Sequence, residues 1–247
     1  MRNKQYFGGV SPYRQKDDEG YSILEQKRRA MMGMSNNEPI GSKDPVVIPM
    51  DSLLIRQQFK ESGFDSSKVS DAGATSIAQI TRDTFEDGIK KGYVPKDTKY
   101  KDLAKNDELA AQFQKNYMYD LTYKRRWNRL GVKSANEKIQ RAKALGAYNA
   151  GPTRIVDILT EMRNDGYDIY SSLDWVEDLP KYHKYLKGPK KGQPVYESRD
   201  YIKKILFGDD EKRYIETSPD GSRVDTVSFE DRLERAYDRK FLGGVSQ

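Results

Sequence analysis

Apolar residues recur at helical spacing through the central part of this chain. In the longest such stretch an apolar side chain occupies every fourth position from Leu109 to Leu121, a spacing that places these side chains on one face of a helix. The pattern therefore predicts a mainly α fold. The predicted helices are 51–62, 74–90, 107–130 and 135–147, with a short apolar segment at 201–207 packed against them.

Residues 1–50 follow no such pattern, apart from one short helical stretch from Tyr21 to Met34. Glycine and proline interrupt the rest, which is typical of an arm rather than of a core. The phrase YFGGVS at Tyr6–Ser11 returns almost unchanged as FLGGVS at Phe241–Ser246. Chance is one explanation of the repeat. The other is that both phrases are extended docking peptides, which we expect to contact partner proteins.

The C-terminal region combines strand-like and helical signals. In YIETSPDGSRVDTV two β-prone segments flank a Pro-Asp-Gly turn at 219–221, which predicts a hairpin. The next stretch predicts a helix that begins after Ser228 as N-cap and carries apolar residues along one side from Phe229 to Tyr237. The predicted regions are an N-terminal arm at 1–50, a helical domain at 51–207 and a C-terminal extension at 208–247.

Composition narrows the classes of function. The 247 residues carry a net charge of +6 and a mean hydropathy of −0.92, which favours an anionic partner such as nucleic acid or a cell-wall polymer. The absence of cysteine excludes disulfides and cysteine-ligated metals. The single histidine, His183, lies in a lysine-rich run rather than beside an evident nucleophile, which argues against a Ser-His triad. We expect neither a metal nor a cofactor.

One carboxylate is a candidate acid. Glu61 ends the first predicted helix, which begins near Asp51 or Ser52 and which Gly63 terminates. The negative end of the helix dipole lies there, which disfavours a charged carboxylate and raises its pKa. On these residues alone, a solvated surface glutamate is the simpler interpretation.

Four short motifs follow one another from Glu61 onward. They are Glu61 and Ser62 with Phe64 and Asp65; Ser70, Ala72, Gly73 and Ala74 with Gln79; AYNAGP at Ala147–Pro152; and Glu197, Ser198, Arg199, Tyr201 and Ile202. Taken together and in this order, they resemble the motifs of the soluble-type lytic transglycosylases, a lysozyme-like family that cleaves peptidoglycan. The chain departs from the family pattern at Ser76–Ala78, where Gly-Leu-Met is usual.

The resemblance implies a lysozyme-like helical domain with Glu61 as its one catalytic residue. Glu61 would protonate the glycosidic oxygen between N-acetylmuramic acid and N-acetylglucosamine. It would then act as base on the C6 hydroxyl of the sugar, whose attack on C1 closes a 1,6-anhydro ring without consuming water. The supporting or substrate-binding residues implied by the motifs are Ser62, Gln79, Tyr148, Asn149 and Glu197. Taken alone, AYNAGP is equally consistent with a helix-ending turn that contains a core tyrosine.

The segment KYHKYLKGPKKGQPVY at 181–196 looks like an insertion relative to the family. A solvated lysine-rich face is the simple interpretation. The functional alternative is that its lysines grip anionic stem peptides or wall polymers beside the substrate groove.

The N-terminus has no hydrophobic signal core, and no apolar run approaches the roughly 20 residues that span a bilayer. Together with the wall-cleaving motifs, this leads us to expect a phage virion protein, made in the host cytoplasm and packaged in the tail or particle interior. It would open the host wall for genome delivery, with its terminal arms on other virion proteins.

Three alternatives stay open. A hydrolase resembling goose-type lysozyme would release reducing ends instead of anhydro ends. A structural virion component with a relic catalytic domain is suggested by the altered Ser76–Ala78 segment. A nucleic-acid binder is supported by the net charge alone, and the interspersed acidic residues disfavour it.

Overall fold

The computed structural model describes residues 50–123, 131–186, 189–208, 214–217, 223–227 and 229–241. Within these residues the chain forms nine helices and one antiparallel pair of strands, so the predicted mainly α fold is confirmed. The helices are α1 Met50–Ser62, α2 Arg82–Lys91, α3 Tyr100–Leu103, α4 Asp107–Tyr123, α5 Glu137–Ala150, α6 Pro152–Asn164, α7 Trp175–Tyr182, α8 Glu197–Phe207 and α9 Phe229–Phe241. The strands are β1 Tyr214–Thr217 and β2 Arg223–Val227.

Helix α5 lies at the centre of the domain and packs against α4, α6 and α8. Every residue from Ile139 to Ala147 is buried. Gly146 allows the close approach of two neighbours, because a Cβ there would lie 3.1 Å from Ile155 Cδ1 on α6 and 3.3 Å from Ile202 Cδ1 on α8. This packing fixes α8 beside α1.

A second, smaller apolar cluster joins α9 to the outer side of α1. Phe229 and Leu233 are fully buried, and they pack with Phe64 and with the partly buried Phe59. The Phe59 and Phe229 ring centroids lie 5.4 Å apart. The helix predicted after Ser228 is therefore confirmed, and so is its apolar side. Ser228 itself lies outside the described residues.

The predicted hairpin is present as the antiparallel pair of β1 and β2, in which Tyr214 pairs with Val227 and Thr217 with Arg223. Its turn at 219–221 lies outside the described residues. The N-terminal arm through residue 49 also lies outside the described residues, and so does the helix predicted there from Tyr21 to Met34. The same is true of both terminal phrases except Phe241.

The predicted helix at 74–90 is wrong in its first half. The helix begins only at Arg82, after Thr81, whose hydroxyl accepts the Thr84 amide as N-cap. Ahead of it, Ser76 and Gln79 have positive φ angles of 74° and 47°, which an α-helix cannot accommodate. Residues 75 and 80 instead form an antiparallel bridge around a tight loop. Sequence periodicity also missed α3, α6 and α7.

Candidate active site

Glu61 lies in the last turn of α1, and its side chain is partly buried. The helix ends where predicted, because Gly63 follows with a φ of 69° and its amide donates to the carbonyl of Phe59. Lys68, in the loop that follows, donates to the Glu61 carbonyl at 3.2 Å. These two contacts hold the backbone of Glu61 at the end of α1.

Tyr201 on α8 is the direct partner of the Glu61 carboxyl group. Its phenol donates to Glu61 Oε1 at 2.5 Å, and its own oxygen accepts the Gln57 side-chain amide at 2.9 Å. Gln57 stands one helical turn before Glu61 on α1. A buried phenol with a single donor hydrogen can hold one carboxylate oxygen in a fixed direction.

Burial raises the pKa of Glu61 from its usual 4.5 to about 7. The Tyr201 hydrogen bond and the positive charges of Lys60 and Lys68 lower the pKa, and the negative charge of Glu197 raises it further, but desolvation is the largest influence. The predicted direction is therefore confirmed, although the main cause is burial rather than the helix terminus. With this pKa, the group is divided between its acid and base forms near neutral pH.

The loop at 70–80 forms a wall beside Glu61, held by three side chains. The Ser62 hydroxyl donates to the Ile77 carbonyl at 2.9 Å, and the Tyr148 phenol donates to the Ala78 carbonyl at 2.7 Å. The Tyr100 phenol lies 2.7 Å from the Ile80 carbonyl and 2.8 Å from that of Gly73. Since Ser62 and Tyr148 use their hydrogens on the loop, both position the backbone next to the acid rather than hydrogen bonding to Glu61.

Gln79 occupies the end of this loop and is half-buried. Its side-chain nitrogen donates to the carbonyls of Lys68 and Ser76, at 2.8 and 3.0 Å. Both amide hydrogens are therefore spent within the loop, and the group left for a substrate donor is its side-chain oxygen.

Asn149 lies on α5, and Glu197 lies at the first turn of α8. Both Tyr148 and Asn149 belong to the last turn of helix α5, so the predicted turn begins only at Gly151, which has a φ of 88°. Glu197 is exposed, and its charge acts on Glu61 through space. Asn149 Oδ1 accepts a hydrogen bond from the Ser198 hydroxyl at 2.7 Å.

The lysine-rich segment brings His183 into this neighbourhood. A bridge between Lys184 and Pro194 folds the segment back on itself, and His183 Nδ1 lies 3.2 Å from Ser198 Oγ. The position of His183 in the sequence gave no indication that Ser198 lies beside it in the fold. Ser198 donates its hydrogen to Asn149, however, so that hydrogen is not directed at His183 as deprotonation by the imidazole would require. Burial lowers the pKa of His183, and the positive charge of Arg154 lowers it further.

Three residues of this arrangement were not chosen from the sequence: Tyr201, Ser198 and His183. A signal existed for the first two, since both belong to the ESRDY motif. His183 gave no signal, because a strand-like fold-back of an insertion is invisible to periodicity.

The part of the chain that the structure describes contains no cluster of three or more side chains suited to hold a metal ion. In the same part, no helix is long and apolar enough to cross a membrane.

Comparison with known proteins gives one match. Residues 51–170 match the family model described as Transglycosylase SLT domain, and the match supports the SLT, lysozyme-like family for this stretch. It includes Glu61, Ser62, Gln79, Tyr148 and Asn149, and it ends before Glu197 and Tyr201. No curated protein and no solved structure matches the chain.

Proposed function

We propose that this protein is a peptidoglycan lytic transglycosylase with Glu61 as its single acid and base. The observation that carries the proposal is the position of Glu61: it lies within the SLT match, is partly buried, has a pKa of about 7 and is held by the phenol of Tyr201. The SLT match supports a peptidoglycan-acting function of this type.

In the proposed first step, protonated Glu61 gives its proton to the glycosidic oxygen between N-acetylmuramic acid and N-acetylglucosamine, and the bond from that oxygen to C1 breaks. The resulting Glu61 carboxylate is stabilised by Tyr201. In the second step the carboxylate takes the proton of the C6 hydroxyl, whose oxygen attacks C1 and closes the 1,6-anhydro ring. Glu61 is again protonated at the end, and no water has been added.

The surrounding residues suit a sugar polymer. The exposed backbone at Ala72 and Gly73 has no bulky side chain, so a glycan strand can approach the loop closely. The remaining oxygen of Gln79 and the half-buried amide of Asn149 are groups that hydrogen bond hydroxyl and N-acetyl substituents. We assign substrate-binding roles to Gln79, Asn149 and Glu197, and loop-positioning roles to Ser62 and Tyr148.

Digestion of purified murein sacculi tests the proposal. Mass spectrometry of the soluble muropeptides should show 1,6-anhydro ends, each lighter by one water than the reducing end that a hydrolase would give. Glu61→Gln should release product about 10²- to 10⁴-fold more slowly, whereas Asp51→Asn, which changes an exposed carboxylate at the other end of α1, should digest like the wild type. Reducing ends would assign a lysozyme-type hydrolase, and no soluble product from the wild type would contradict an enzymatic function.

We further propose that the protein acts from a phage particle, opening the wall locally during genome delivery and contacting other virion proteins through its terminal arms. This proposal rests on the wall-active match and on the repeated GGVS phrase at Gly8–Ser11 and Gly243–Ser246. Deleting residues 1–20 or 238–247 should reduce incorporation into particles while leaving cleavage in solution unchanged. Normal incorporation of both truncated chains would make the repeat a coincidence.

A further inference from the structure

Behind Tyr201, the hydrogen bonds continue away from Glu61 through three glutamines. Gln114 on α4 donates its side-chain amide to Gln57 Oε1 at 2.9 Å, and Gln58 donates to Gln114 Oε1 at 2.7 Å. Gln57 and Gln114 are fully buried and Gln58 is 6% exposed. The full series runs Gln58, Gln114, Gln57, Tyr201, Glu61, and we call it the glutamine chain.

Every bond in the glutamine chain points the same way. Each amide donates to the next residue, and the last donor, the Tyr201 hydroxyl, donates to the carboxyl oxygen of Glu61. Aligned hydrogen bonds polarise one another, strengthening each bond by about 10 to 30% in a low-dielectric interior. The terminal bond to Glu61 is therefore stronger than an isolated phenol would make it.

Packing alone does not account for three buried amides at this position. Leu53 and Leu54, one helical turn before Gln57 and Gln58, and Phe113, next to Gln114, are apolar and buried. A buried amide destabilises the fold unless its hydrogen bonds are made. Apolar side chains of the same size would fill this space without that cost in stability. The amides supply an aligned series of hydrogen bonds that ends at the Glu61 carboxyl group.

We propose that Gln114 and Gln57 are positioning residues that act through Tyr201 to hold the Glu61 carboxyl group and to stabilise its ionised form. The catalytic meaning of this inference rests on the proposed function. In that reaction Glu61 must first lose a proton and then regain one, and the glutamine chain favours the intermediate state in which it carries a negative charge.

Among the residues that the structure describes, five charged or titratable groups influence Glu61. Tyr201 and Glu197 come from α8, Tyr148 from α5, Lys60 from α1 itself and Lys68 from the loop after it. Glutamine does not titrate. Replacing one of the three glutamines therefore changes the stabilisation of the Glu61 carboxylate without adding or removing a charge.

The decisive measurement is the pKa of Glu61, followed by the ¹³C chemical shift of its side-chain carboxyl in the substrate-free protein. Gln114→Met keeps the side-chain volume and removes the amide. We expect it to raise the pKa by about 0.5, since it weakens but does not remove the terminal bond. Tyr201→Phe, which removes that bond, should raise the pKa by about 1 to 2. In murein digestion, the alkaline limb of the rate profile should move upward by the same amounts.

A buried glutamine outside the chain provides the matched control. Gln140 on α5 is 4% exposed, and its side-chain oxygen accepts the Ser134 amide at 3.0 Å. Gln140→Met should leave the pKa of Glu61 unchanged.

An unchanged Glu61 pKa in folded Gln114→Met would overturn the inference and leave the glutamines a structural role only. If that variant does not fold, Gln57→Met takes its place with the same expectation. The carboxyl titration needs no substrate, so it decides this inference even if sacculi are not digested, and absent digestion would count against the proposed function alone.

Discussion

The two sides of helix α1 make different kinds of contact. Its inner side presents Gln57, Gln58 and Glu61 to α4 and α8, where buried polar groups pair with one another. Its outer side presents Ile55 and Phe59 to α9, where they pack in an apolar cluster with Phe229. The Arg232 guanidinium of α9 also lies over the Phe59 ring, 5.9 Å from its centroid.

The inner side carries the candidate catalytic group, and the outer side stabilises the fold. The inner side gains a carboxyl group with a raised pKa, and burying that group lowers the stability of the folded state. The outer side gains apolar burial of the kind that offsets such a loss. The helix that provides this apolar burial, α9, lies beyond residue 170 and therefore outside the family match. The predictions below break one side at a time.

The largest effect should come from the inner side. Glu61→Gln keeps the shape of the side chain but can neither donate nor regain a proton, so the rate of murein cleavage should fall about 10²- to 10⁴-fold. Release of soluble muropeptides over time measures this rate. A loss of less than about tenfold would place the catalytic acid elsewhere.

The outer side should control stability instead. Phe229→Ala removes a fully buried ring, and we expect it to lower the free energy of unfolding by about 3 to 5 kcal/mol. Urea denaturation measures this change, and cleavage by the molecules that stay folded should remain within about twofold of wild type, a range that corresponds to only ~0.4 kcal/mol. Phe241→Ala on the same helix is the control, because that ring is 43% exposed and its loss should matter much less.

The stability penalty of the inner side should depend on pH. Because the pKa of Glu61 is about 7 in the folded protein and 4.5 ordinarily, the folded state binds the proton more tightly. The stability that proton binding by Glu61 contributes is complete below about pH 4.5 and is lost as the pH rises through about 7. Glu61→Gln should therefore match wild type in acid and be more stable by about 1 to 3 kcal/mol near pH 8.

Denaturation of both proteins across this pH range measures the difference. Glu197→Gln, at an exposed position of the same site, should change stability by less than about 1 kcal/mol throughout. A constant difference between Glu61→Gln and wild type at all pH values would show that Glu61 is not shielded from solvent in the way described.

The smallest expected effect lies in the loop beside Glu61. Ser76 is fully buried and has a φ of 74°, a left-handed conformation that glycine adopts without strain. Ser76→Gly should raise the free energy of unfolding by about 0.5 to 1 kcal/mol while preserving cleavage. Thermal unfolding checks this, and Gly at the neighbouring Ala78, whose φ is not positive, should lower stability instead.

Much of the fold follows from periodicity, and the exceptions have physical causes. The end of α1 was predictable because an apolar pattern and a glycine stop agree. The predicted N-cap at Asp51 or Ser52 is wrong, because the helix begins at Met50 and both residues lie in its first turn. The loop at 74–81 was not, because Ser76 and Gln79 take backbone conformations that their residue types disfavour. Helices α6 and α7 were missed although Pro152, at the first position of α6, is a recognised start signal.

The candidate site was predictable as far as its motifs reach. Glu61 and the direction of its pKa followed from the helix end, but the cause did not, since burial depends on which helices cover the group. Tyr201 stood within a motif without an assigned role. The glutamines of α1 and α4 could not be paired from the sequence, because 57 residues separate Gln57 from Gln114 and neither has a signature.

The hydrogen bond between Tyr201 and Glu61 joins residues 140 positions apart. During synthesis, Glu61 therefore leaves the ribosome well before Tyr201. A ribosome adds about 5 to 20 residues per second, so roughly 7 to 28 seconds pass between the emergence of the carboxyl group and that of its phenol. A nascent chain that has completed the SLT-matched stretch at residue 170 still lacks this partner. The acid is therefore assembled late, by the last helix of the main core, and a chain released early would carry the motifs without the finished centre.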